Sequence, residues 1–202
     1  MTDARRIVVG ITGATGVIYG IRLLELLRAI PQVETHLVIS APGKRTIVEE
    51  TEYSLGEVEA LAHRHYDDKD IGAALASGSF RTEGMVVAPC SIKTASAVAY
   101  CRSDTLLSRA ADVTLKERRP LILLVRETPL HAGHLRCLLA LAEMGVVVLP
   151  PMPAFYNRPK QIDDLILHTL ARALDHLRLP HRLVEEWKGT HPRPPRADPP
   201  GA

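Results

Sequence analysis

Ile7-Val8-Val9-Gly10-Ile11-Thr12-Gly13-Ala14-Thr15-Gly16-Val17-Ile18-Tyr19-Gly20 decides the fold. The apolar run at 7–11 reads as a buried strand. A Gly/Thr turn follows, then an amphipathic helix over 17–29 with Ile21, Leu23, Leu24, Leu26 and Leu27 on its apolar side. Strand, glycine turn and helix together aim backbone N–H groups at an anion beside a helix N-terminus. Gly10, Gly13 and Gly16 are spaced G-x-x-G-x-x-G. That is neither the dinucleotide G-x-G-x-x-G nor G-x-x-x-x-G-K-[ST], so a mononucleotide such as FMN is favoured over a pyridine dinucleotide or a P-loop nucleotide. The same turn serves equally well as a plain tight connection.

Downstream the pattern repeats. Strands are expected at 34–40, 85–88, 121–125 and 146–149, and helices at 43–52, 55–62, 94–99, 106–115, 132–144 and 162–177. Residues 121–125 are an unbroken apolar run, as in a parallel strand buried on both faces. Residues 63–83 are polar and read as an irregular functional loop with a short helix at 71–76. Strands alternating with helices predict an α/β fold, a Rossmann-like doubly wound parallel sheet in a single domain over 1–188. The Pro-rich tail at 189–202 reads as disordered.

Composition narrows the function. The 202 residues are 46% hydrophobic and 24% charged with a net charge of +2, too mild for a nucleic-acid surface. Aromatic residues, at 4%, are too few for base-stacking platforms. No apolar run reaches the roughly 18–20 residues of a membrane span, and the N-terminus leads straight into a strand without a signal peptide. Three cysteines without metal-ligand spacing favour a reduced, cytoplasmic protein. No metal site is expected. Asp67-Asp68-Lys69-Asp70 fails the D-D-x-x-D spacing, Asp163-Asp164 lacks a partner, and His131 and His134 read as helix-start residues.

Ligands of open parallel sheets bind beyond the carboxyl ends of the strands. That rule collects the turn at 13–16, Ser40, the turn at 89–94, Arg126-Glu127 and the proline-stiffened loop at 151–156. Ser91 is either a phosphate or ring-edge ligand or a plain N-cap. Cys90 is either a nucleophile or inert packing. Lys116-Glu117-Arg118-Arg119 is ordinarily a solvated helix end. Arg109, seven residues earlier, shares its side of the helix with Lys116. Glu127 is a carboxylate available for proton transfer. Tyr156 and Arg172, the latter four residues after His168, have bland readings as a core-edge tyrosine and a surface ion pair.

The sequence is similar to the UbiX family of flavin prenyltransferases. The resemblance rests on Gly13-Ala14-Thr15-Gly16 with Tyr19-Gly20, on Glu50-Thr51, and on Pro89-Cys90-Ser91 with Thr94. It continues through Arg109-Ala110-Ala111-Asp112-Val113, Leu115-Lys116-Glu117-Arg118-Arg119-Pro120-Leu121, Arg126-Glu127-Thr128-Pro129, and Pro150-Pro151 with Phe155-Tyr156 and Pro159. It implies a flavodoxin-like homo-oligomer, a dodecamer with its active site at subunit contacts. It also implies a reaction: a dimethylallyl unit from dimethylallyl phosphate joins N5 and C6 of reduced FMN, and the prenylated FMN serves a UbiD-type decarboxylase. By the same resemblance Gly13, Ala14, Thr15, Ser40, Ser91, Thr94 and Arg109 hold FMN. Lys116, Tyr156 and Arg172 hold the substrate phosphate, with Glu50 contributed nearby from a neighbouring subunit. Glu127, Thr15 and Lys116 form the catalytic set. Two departures stand out: Thr15 where many members carry Ser, and Pro42-Gly43 in place of small alanines at a helix start.

Two other classes compete. A flavin-dependent cysteine decarboxylase needs a catalytic His and an Asn-containing flavin motif, and the turn at 89–94 has no Asn. An FMN-binding subunit of a hydroxyarylic-acid decarboxylase complex would not need Lys116, Glu127, Tyr156 and Arg172 together.

Overall fold

The computed structural model describes residues 4–184, so the Pro-rich tail and the domain boundary at 188 lie outside the described residues. Six strands, β1 (Arg5–Ile11), β2 (Val33–Ile39), β3 (Arg64–Asp67), β4 (Gly84–Cys90), β5 (Leu121–Val125) and β6 (Val147–Val148), form one sheet. All pairs are parallel, and the order is β3-β2-β1-β4-β5-β6. The helices are α1 (Ile18–Arg28), α2 (Ala41–Glu50), α3 (Leu55–Leu61), α4 (Ile92–Ala99), α5 (Leu106–Lys116), α6 (Ala132–Glu143) and α7 (Ile162–His176), with a 3₁₀ turn at Ala74–Ala76.

Side-chain alternation along β1 separates two cores. Ile7, Val9 and Ile11 pack with Leu23, Leu24 and Leu27 of α1 and Leu170 and Leu174 of α7. Val8 faces the opposite side, with Met85 and Val87 of β4, Leu107 and Ala111 of α5, and Leu141 of α6. The sheet is therefore covered on both faces, which is why its central strands are apolar throughout. Gly20 permits α1 to lie directly on the sheet, since a Cβ there would run into the Ala88 carbonyl and the Ile11 side chain.

The doubly wound parallel sheet is as expected, with three differences. β3 falls inside the stretch expected to be irregular; it is a short edge strand of Arg-His-Tyr-Asp paired only with β2, so burial left no apolar signature on it. Without β3 the order would read 2-1-3-4-5, the flavodoxin pattern. β4 runs on through Pro89 and Cys90, with a register shift against β5 between Val87 and Cys90. α2 starts at Ala41 instead of 43, because Ser40 accepts a hydrogen bond from Gly43 N and Pro42 sits in the first turn, where no N–H is needed. Among the described residues no helix is long and apolar enough to cross a membrane.

Away from the strands' carboxyl ends, fully buried His36 forms a polar cluster. Its Nδ1 lies 2.8 Å from Tyr66 Oη, and its ring stacks on Tyr66 and meets Phe80 edge-on. Nε2 faces Glu34 Oε1 at 3.2 Å without hydrogen-bond geometry, while Arg6 and Arg64 bracket the same carboxylate. Burial pushes the His36 imidazole below its ordinary value; Glu34 opposes this, and Arg6, Arg64 and His63 reinforce it. The folded chain thus keeps His36 neutral where the unfolded chain protonates it. Its contribution to stability is complete above the unfolded pKa of about 6.5 and declines as pH falls below that value. Urea midpoints measured between pH 7.5 and pH 5.5 are expected to fall less for His36→Asn, which keeps a polar atom toward Tyr66 but does not titrate, than for the unmodified chain.

Candidate functional site

The carboxyl ends of the strands enclose a cavity of about 980 Å³. This is at the upper end of the ~300–1,000 Å³ usual for small-molecule sites. Of the residues expected to act there, Gly13, Ala14, Thr15, Ser40, Ser91, Thr94 and Glu127 line it. Gly13 has a steric reason to be glycine: a Cβ would overlap Pro42, so the first turn could not lie against the start of α2.

Two helix N-termini open on this cavity. Ser40 caps α2 by accepting from Gly43 N at 3.1 Å. Ser91 caps α4 by accepting from Thr94 N at 3.3 Å, with the Thr94 hydroxyl 3.1 Å away. The plain N-cap reading of Ser91 is therefore correct, and the residue faces the cavity as well. The lining side chains carry five cations (Lys44, Lys69, Lys93, Arg102, Arg126) against four carboxylates (Asp67, Asp68, Asp104, Glu127). So near-balanced a set leaves much of the attraction for a phosphate to the helix N-termini and their N–H groups.

The start of α1 is different. Gly16 N and Val17 N donate to Glu50 Oε2 at 2.8 and 3.4 Å. Those amides hold an internal carboxylate, which agrees with the plain-connection reading for this part of the turn. Glu50 is correspondingly turned to this helix start and does not line the cavity.

Arg109, Lys116, Tyr156 and Arg172 also lie outside the cavity of the same chain. Arg109 Nε donates to Ala76 O at 3.2 Å, and its Nη1 pairs with Asp112 at 2.8 Å. α5 begins at the cavity, where Asp68 accepts from Leu106 N and Leu107 N, and descends toward the opposite edge of the sheet. Lys116, ten residues further on, is about 15 Å along the axis, where it pairs with Glu117 at 2.7 Å. Tyr156 folds onto α7 by a 2.9 Å contact with His168 Nε2, and Arg172 pairs with Asp175 at 2.7 Å. One chain thus presents a cavity, a lysine at the far end of α5 and a Tyr/Arg group on α7 as separate surfaces.

The residue that sequence reasoning left unassigned is Arg126. It lines the cavity beside Glu127, whereas the flavin role was expected of Arg109. Its signal was present, since Arg126 ends a strand. Asp67, Asp68 and Lys69 line the cavity for the same reason, at the end of the unrecognised β3. Cys90, next to Ser91, is wholly buried, and burial together with neighbouring Cys137 pushes its thiol far up, away from ionisation. This favours inert packing over a nucleophile. Among the described residues no group of three His, Cys, Asp or Glu stands together as metal ligands.

Three comparisons bear on this geometry. A family profile described as Flavoprotein matches residues 1–171. The chain is 54% identical over 187 residues to the flavin prenyltransferase UbiX of Escherichia coli K12, covering 92% of this chain and 99% of that one. Its fold superposes on AnUbiX in complex with FMN and dimethylallyl pyrophosphate with a TM-score of 0.90 at 47% identity, over 93% of this chain and 100% of the other. It also superposes on a dodecameric FMN-dependent UbiX-like decarboxylase of E. coli O157:H7 with a TM-score of 0.89 at 50% identity, over 91% and 100%. The lining of the cavity separates the two arginines. In fluorescence titrations with FMN, Arg126→Ala is expected to weaken binding by about tenfold or more, the usual loss for a charge-assisted hydrogen bond, and Arg109→Ala by much less.

Proposed function

The chain belongs to the flavoprotein family, and within it to the UbiX flavin prenyltransferases, and from that premise we propose that it joins a dimethylallyl group from dimethylallyl phosphate to N5 and C6 of reduced FMN. The single observation that carries the assignment of FMN to this cavity is the pair of serine-capped helix starts, Ser40 and Ser91 with Thr94, opening on it beside the Gly13 turn. The residues fit the group: the N-termini of α2 and α4 take the phosphate, Gly13, Ala14 and Thr15 line the flavin side, and Arg126 supplies a full charge. When bound, reduced FMN supplies two nucleophilic positions, N5 and C6, for the five-carbon unit.

The protein's own task is to accept charge and protons. Breaking the allylic C–O bond puts negative charge on the departing phosphate, and preorganised cations lower that barrier most effectively where water is excluded. Lys116, Tyr156 and Arg172 are the groups suited to it. Joining both positions would release one proton from N5 and one from C6, while the departing phosphate and the alkene carbon of the five-carbon unit would each need one, so the net gain is C5H8. Glu127, half-buried and held by Thr128 N at 3.0 Å, is placed to take a proton and to return it to the phosphate or the alkene. Thr15 brings its hydroxyl to the same cavity.

The cavity, Lys116 and the Tyr156/Arg172 group occupy different surfaces of one chain, which supports a site completed by other copies in a homo-oligomer, a dodecamer like the UbiX-like relative. Exposed apolar side chains such as Leu135 and Leu139 on α6, and Phe155 beside Tyr156, suit contact between copies. The prenylated flavin then leaves for a UbiD-type decarboxylase, and the free cysteines accord with a reducing cytoplasm.

Purified protein incubated anaerobically with reduced FMN and dimethylallyl phosphate is expected to yield a flavin heavier by one C5H8 unit on mass spectrometry. An unchanged mass with both the monophosphate and the diphosphate would overturn the reading. Glu127→Gln is expected to keep FMN bound while turnover falls about 10²-fold or more. Turnover at the unmodified rate would remove Glu127 from the proton path.

A further inference from the structure

His168 has no part in the scheme above, yet it touches a residue that does. It lies on α7 one helical turn before Arg172, so the two side chains share a face of that helix. Its Nε2 is 2.9 Å from Tyr156 Oη. The two rings meet edge-to-face at 84° with centroids 5.5 Å apart. Tyr156 itself belongs to the loop after β6, outside any strand or helix, with 64% of its surface exposed. A tyrosine on such a loop needs a fixed neighbour if its hydroxyl is to stay in one place, and His168 on the rigid α7 supplies one.

Arg172 is oriented from its other side. Its Nη1 donates to Asp175 Oδ2 at 2.7 Å, and Asp175 Oδ1 lies 2.9 Å from His181 Nε2. Among the described residues Asp175 is the carboxylate that Arg172 pairs with. A hydroxyl held against His168 and a guanidinium held by Asp175 are thus anchored to α7 through residues one helical turn apart, and a hydroxyl and a guanidinium are both donors suited to phosphate oxygens.

We propose that His168 is a positioning residue for the phosphate of the allylic substrate. As the Nε2–H tautomer it donates to the Tyr156 oxygen, so the phenolic O–H is directed to a phosphate oxygen beside Arg172. Hydrogen bonds in such a chain polarise one another, which strengthens the outer one. No covalent step passes through His168. The inference rests on the reading that Tyr156 and Arg172 hold the substrate phosphate.

The test uses the full-length oligomer and three variants. His168→Leu removes the ring nitrogen at similar bulk, His168→Asn is polar but too short to reach Tyr156, and His168→Gln places an amide N–H near the position of Nε2. The Leu and Asn variants are expected to raise KM for dimethylallyl phosphate about tenfold, with kcat changed much less and FMN affinity unchanged. The Gln variant is expected to recover KM to within about threefold. The affinity for inorganic phosphate, measured by calorimetry without reduced flavin, should follow the same order.

A histidine that only stabilised the fold would shift melting temperature without splitting KM from kcat and without rescue by Gln. An unchanged KM in both the Leu and Asn variants overturns the proposal while leaving the prenyltransferase reading intact, and so does equal impairment of all three variants. Absence of prenylated flavin from the unmodified protein overturns the underlying reading instead.

Discussion

A single buried hydroxyl, that of Thr12, ties together the two loops on which the cavity is built. Thr12 closes β1 at the point where the strand order reverses. Its Oγ1 donates to Pro89 O and accepts from Ser91 N, both at 2.8 Å, and its own N–H reaches Pro89 O at 3.2 Å. Backbone bonds extend the tie along the whole carboxyl edge: Ser40 N to Ile11 O, Arg126 N to Cys90 O and Leu149 N to Leu123 O. The ends of β2, β1, β4, β5 and β6 are thereby fastened in turn, so Ser40, Ser91 and Arg126 hold fixed positions relative to one another. An apolar residue at position 12 would leave buried polar groups unpaired, at about 1–3 kcal/mol each.

This edge also separates the charges of the site. The cavity offers two helix N-termini and a near-even mixture of side-chain charges, which suits one phosphate. The third helix N-terminus nearby, that of α1, is filled by Glu50. Further cations stand outside the cavity, Lys116 at the far end of α5 and Arg172 on α7, each paired with a neighbouring carboxylate.

The fold was legible in the sequence wherever burial wrote an apolar run, as at 7–11 and 121–125. It was not legible at β3, whose Arg-His-Tyr-Asp is an exposed edge set by pairing with β2 rather than by its own composition. The site was legible to the same degree. Gly13, Ser40, Ser91, Thr94 and Glu127 follow from the rule that ligands lie beyond strand ends. Arg126 satisfied that rule too, but helical spacing drew attention to Arg109, whose guanidinium proves to be engaged by Ala76 and Asp112. That Lys116, Tyr156 and Arg172 stand away from the cavity could not be read from spacing, because it depends on the direction in which α5 descends and on where the loop after β6 folds back.

The burial of Cys90 has a consequence for selectivity. An allylic phosphate is an alkylating agent, and sulfur is a softer nucleophile than the flavin positions it is meant to reach. Cys90 precedes Ser91 in the wall of the site, yet it has no exposed surface and its thiol is held far from ionisation. Since the thiolate is the reactive form, the protein carries a sulfur one residue from the cavity wall in a form that is a poor nucleophile. Desolvation of one side chain thus makes inert a thiol that its position alone would have left reactive.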